Sequence, residues 1–207
     1  MNRRQGVNRL NRVAGVLGLA MLVAAGAAEA HAGHGTDSFF VGLAHPWLGW
    51  DHLLAMLALG VWAVQAGGPA RAVLPLAFAA SVAVSFAGSA GGSPWPGYDL
   101  AVLATLLILG GLLAMRRRVA MLPAILLTAA CGVAHGYAHG VEINAADTGA
   151  LAYGAGLVLA TLALHGLGML TATGVVRGGR VWLLRVAGLL VASGGLGGLG
   201  ALALAAL

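Results

Sequence analysis

The chain has no lysine, and its eleven arginines and six acidic residues make up only 8% of 207 residues, against roughly 25% charged residues in an ordinary soluble domain. A water-covered globular fold is excluded by that shortage. There is one cysteine, Cys131, so an intramolecular disulfide framework is excluded too. No Gly-x-x-x-x-Gly-Lys-Ser/Thr loop is present and no segment is left over to hold one, which removes nucleotide-driven chemistry. His-Glu-x-x-His is likewise missing. What is abundant is apolar: 60% hydrophobic residues with 34 glycines, a composition suited to helices packed closely in lipid. The expected class is an all-α polytopic membrane protein.

The net charge of +5 raises a nucleic-acid reading until it is located. Arg3, Arg4, Arg9 and Arg12 precede the first apolar run, Val13 to Ala28, which ends in the small-x-small site Ala28-Glu29-Ala30. This is the pattern of a secretory signal peptide over residues 1–30, with a mature chain beginning at His31. Its removal lowers the charge to +2 and leaves no basic patch for nucleic acid.

Residues 31–207 then form one transmembrane domain, because roughly 20 residues per crossing gives about six spans with short loops. They are expected near 43–65, 70–90, 98–115, 119–141, 148–173 and 181–207. The breaks fall at Gly67-Gly68-Pro69, at 91–96, at Arg116-Arg117-Arg118, at Asn144 to Asp147 and at Arg177 to Arg180. A cleaved leader puts His31 outside the inner membrane. The arginines agree: Arg71, Arg116 to Arg118, Arg177, Arg180 and Arg185 fall on alternate connections assigned to the cytoplasm, while Asp37, Asp99, Glu142 and Asp147 fall opposite.

Ionisable groups within a bilayer are costly and mark function. Two clusters stand out. In His45-Pro-Trp-Leu-Gly-Trp-Asp51-His52, a spacing of seven puts His45 and His52 on one helix face, continued by Met56, with Asp51 about 100° away to orient a ligand or a neighbouring helix. In His135-Gly-Tyr-Ala-His139-Gly-Val-Glu142, offsets of four and three align two imidazoles and a carboxylate. Imidazole suits nickel, zinc, copper and iron alike, so spacing alone does not select the metal. Both clusters are expected on the outer face, where the first and fourth spans build one site. Cys131, one turn below His135, reads as a small hydrophobe, and His165 as a lone packing histidine or an inward relay. His31 and His34 read as a polar tail.

His-Pro-x-x-Gly-x-Asp-His followed by Leu-Leu-Ala-Met, together with the later Ala-His-Gly-x-Glu preceded by a further histidine, resembles the HupE/UreJ family of hydrogenase and urease accessory proteins. The resemblance implies a six-span permease for nickel, with cobalt as the second candidate. It implies His45, Asp51, His52, His135, His139 and Glu142 as the metal site, no tightly bound cofactor, and a link to hydrogenase or urease maturation. A divalent cation moving inward gains about 4.6 kcal/mol per 100 mV, so facilitated import needs no ATP. An intramembrane metal-dependent hydrolase and a haem-binding or metal-sensing module are the alternatives.

Overall fold

The computed structural model describes residues 39–116, 119–143 and 148–205. The expected signal peptide, His31 and His34, Arg117 and Arg118, and the Asn144 to Asp147 turn lie outside the described residues. Seven helices and no strand occur among those described: α1 Phe39–Leu48, α2 Trp50–Ala66, α3 Ala70–Ser89, α4 Tyr98–Met115, α5 Met121–Val141, α6 Ala150–Arg177 and α7 Trp182–Ala205.

Helices α3 to α7, of 18 to 28 residues, are each long and apolar enough to cross a bilayer, and each begins within about two residues of the expected span. The chain is a multi-pass membrane protein. The first span corrects the expectation. It is not one helix but two, α1 and α2, bent by 86° at a single-residue break. Pro46 sits inside α1 and lacks the N–H that would bond the carbonyl of Gly42, so the last turn is weakened. Helix α1 stops at Leu48. Gly49 then takes extended angles, φ −83° and ψ 113°, and its carbonyl accepts from Leu53 N–H at 2.9 Å to start α2.

Side chains with no lipid contact fill the centre: Met56, Leu59, Trp62, Phe78, Leu106, Leu109, Tyr153, Leu157 and Leu164 are all fully buried. Leu76, Val84, Leu126, Leu151, Leu170 and Leu190 are exposed, as lipid-facing residues of a bundle are, since the acyl chains are as apolar as leucine. Helix α3 packs along α5, α4 along α7, and α6 against both α1 and α2.

Two close approaches set the site. On α5, a Cβ added at Gly132 or Gly136 would collide with backbone of Phe78 or Val82 on α3, and one at Gly140 would collide with Ser89 Oγ. The small stripe lets the two backbones touch. On the other side, Gly42 of α1 lies against backbone of Tyr153 on α6, and Gly156 against Phe39. These contacts seat the short helix beside the end of α5.

Candidate metal centre

The two motifs meet. Four imidazoles form a continuous column in which the motifs alternate: His45 to His139 (centroids 4.8 Å apart), His139 to His52 (4.3 Å), and His52 to His135 (4.8 Å). His45 thus reaches the column from α1, not from the helix that carries His52, and the expected shared face of His45 and His52 does not exist. The bend at Gly49 is what brings both rings against α5.

Burial differs along the column, and His52, between the two buried imidazoles, keeps 15% of its side chain exposed. The side chains of His45 and Glu142 at its mouth are 36% and 48% exposed, whereas His139 and His135 are buried. Glu142 follows the last residue of α5 and keeps right-handed helical angles, so its carboxylate returns to the same end, with Oε2 3.4 Å from His45 Nε2. Burial raises the Glu142 carboxyl above its ordinary value, the neighbouring His52 opposes the rise, and Asp51 and Asp99 add to it. His45, His139 and Glu142 each offer one donor atom, all within 4.8 Å of one another. Metal–nitrogen bonds near 2.1 Å space ligands by about 3–4 Å, so the triad stands slightly open around an ion.

Asp51 holds His52 instead of joining the triad. Its Oδ1 accepts from the backbone N–H and from Nδ1 of His52, both at 2.8 Å. A carboxylate can only accept, so Nδ1 carries the hydrogen and Nε2 keeps its lone pair. That Nε2 is buried and has no partner. Gly49 makes room for the pair, because a Cβ there would lie 3.1 Å from both Asp51 Oδ1 and His52 Nδ1.

Behind His135 stands Thr105 of α4, a residue the sequence reading passed over; its hydroxyl is 2.9 Å from His135 Nε2. The one signal in the sequence was a threonine within an otherwise aliphatic helix. Met56 and Cys131 are buried in the hydrophobic core. Tyr137 fastens the connection beside the mouth, accepting from Trp95 N–H at 2.8 Å and donating to the Ser93 carbonyl at 3.1 Å.

Unpartnered nitrogens are the chemical peculiarity of the column. His52 Nε2, His135 Nδ1 and both nitrogens of His139 are buried without a hydrogen bond, and each such group forfeits about 1–3 kcal/mol of solvation. Unpartnered imidazoles clustered at that cost suit a borderline divalent cation.

No solved structure matches the chain. It is 36% identical over 151 residues to Protein HupE of Rhizobium leguminosarum bv. viciae, an alignment covering 73% of this chain and 78% of the relative. Residues 19–197 match the family described as HupE / UreJ protein, and together with that identity this means the chain belongs to the HupE/UreJ family.

Proposed function

We propose that the protein carries a divalent transition metal, nickel before cobalt, across the inner membrane toward the cytoplasm, to supply hydrogenase or urease maturation. The observation that carries this reading is the alternating column of histidines from two separate motifs, open at its His45 and Glu142 end and dry at its His135 end. A structural metal site would be closed on all sides by its ligands. Here coordination begins at a triad with two partly exposed members and continues as single imidazoles, an arrangement that favours capture followed by release. Membership of the HupE/UreJ family is consistent with the hydrogenase or urease accessory role that the sequence resemblance implies. In this reading His45, His139 and Glu142 receive the ion, His52 and His135 pass it on, and Asp51 orients His52. The membrane potential supplies the driving force, about 4.6 kcal/mol per 100 mV for two charges.

The test is radiometal uptake into proteoliposomes under an imposed inside-negative potential, comparing Ni2+, Co2+ and Zn2+. Potential-dependent Ni2+ accumulation is the expected outcome. Binding without accumulation would make the protein a metal-holding module and overturn the reading.

A further inference from the structure

The column of rings continues beyond His135. Phe78 of α3 has its centroid 5.5 Å from His135 and 5.1 Å from His165 of α6, the latter pair edge to face at 87°. His165 is 1% exposed, and neither of its ring nitrogens has a hydrogen-bond partner. It is the sixteenth of 28 residues in α6, near the middle of a helix long enough to cross the bilayer. Twelve residues, about 18 Å of helical rise, separate it from Tyr153, whose ring lies 5.8 Å from His45 at the mouth.

Packing gives no account of an imidazole in this place. A leucine would fill comparable space without stranding two polar atoms in a dry interior, where unpartnered groups are strongly disfavoured. Thr161, one turn earlier, directs its hydroxyl proton to the Leu157 carbonyl at 2.9 Å. Phe78 is suited to stand between two stations, since the face of an aromatic ring attracts a cation that an aliphatic side chain would only exclude.

We propose that His165 is a second, deeper station for the transported divalent cation, receiving it from His135 past the ring of Phe78. The inference rests on the transport reading. A single neutral imidazole binds such an ion weakly and lets it go, as an intermediate stop requires, and it extends the path from the mouth to about the middle of the membrane.

The experiment uses the full chain with Ni2+ as probe and compares wild type with His165→Gln and His165→Leu. Equilibrium binding of Ni2+ to the purified protein reads the mouth, and initial uptake per inserted molecule in proteoliposomes under an inside-negative potential reads the path. Both variants are expected to bind at the mouth within about threefold of wild type while uptake falls about tenfold or more, the size of effect usual for lost metal-site partners. Wild-type uptake in either variant would overturn the proposal, because a packing residue would then suffice. So would loss of binding in parallel with uptake in both variants, which would make His165 a support of the mouth. A wild type that accumulates no Ni2+ would remove the transport reading and the station with it, and is distinguished by appearing without any substitution.

Discussion

The hydroxyl of Thr105 lies 2.9 Å from Nε2 of His135 and 2.7 Å from the carbonyl oxygen of Val102. A threonine has one hydroxyl proton, and with that proton on the nearer carbonyl the oxygen meets the ring as an acceptor. Nε2 of His135 therefore carries hydrogen, and Nδ1, buried and unpartnered, holds the lone pair. Asp51 does the opposite for His52, leaving Nε2 bare. The two facing rings are thus fixed by different partners in complementary tautomers.

Thr105→Val keeps the shape of the side chain and removes the hydroxyl. Partners of this kind are worth about 10–100-fold in metal affinity, so Ni2+ affinity and uptake should fall by about that factor while insertion is retained. Thr105→Ser should restore most of the loss. Equal behaviour of the valine and serine variants in Ni2+ titration would show that the hydroxyl does not orient His135.

How much of this was legible beforehand differs by element. The spans at α3 to α7 were readable because roughly 20 apolar residues bounded by Gly, Pro or Arg leave one economical interpretation in lipid. The bend at Gly49 was not. A span begun at residue 43 puts Pro46 in its opening turn, where proline is tolerated, but the helix starts at Phe39 and Pro46 falls in the last turn of α1, next to the break. The error moved His45 onto the wrong helix, yet the six motif residues still converge at one end of the bundle, and they could be picked out because charge and imidazole are conspicuous in an apolar chain. Thr105 was invisible for the converse reason, since a lone threonine in a membrane helix ordinarily satisfies its own backbone. His165 was visible as a residue but not as a neighbour: its place next to Phe78 depends on how α3 and α6 pack, which no spacing within either helix encodes.

The glycines of α5 make a stability prediction. At Gly136 an added Cβ would collide with the backbone of Val82, whereas at Gly174 of α6 nothing lies within 4 Å. Gly136→Ala must push α3 and α5 apart, at an overpacking cost of about 1–3 kcal/mol, and shift His135 and His139 with the helix. Thermal unfolding in detergent should occur at lower temperature, with Ni2+ affinity reduced in step. Gly174→Ala should be neutral or slightly stabilising, because alanine is the better helix former. Similar melting temperatures for the two variants would contradict the close α3–α5 contact.

Acid should weaken metal binding. Imidazole coordinates only when neutral and a carboxylate only when ionised, so protons compete with the ion for the mouth. The raised carboxyl of Glu142 acts in the same direction, since protonation begins to remove its charge at a higher pH than for an ordinary carboxylate. Ni2+ affinity measured between about pH 7.5 and 5.5 should decline toward the acidic end, and Glu142→Gln should flatten the profile. A flat wild-type profile would take the Glu142 carboxylate out of the ligand set, since histidines in a dry column need not protonate in this range.

His139 is the residue through which the column can be broken most cleanly. Its ring touches both His45 and His52, both of its nitrogens are unpartnered, and it shares the mouth triad with Glu142. His139→Gln keeps a polar side chain of useful length but removes imidazole, so a ligand role requires loss of uptake, whereas a packing role tolerates the change. Cys131→Ala is the comparison: its thiol is buried in the core, and a small truncation there should leave most activity. The measurement is initial Ni2+ uptake per molecule of correctly inserted protein, with at least about tenfold loss expected for His139→Gln. Normal insertion with near wild-type uptake would mean that the ion does not pass His139, and the proposed centre would be wrong in its central residue. Inactivity of both variants despite normal insertion would bring Cys131 out of the core and into the ligand set.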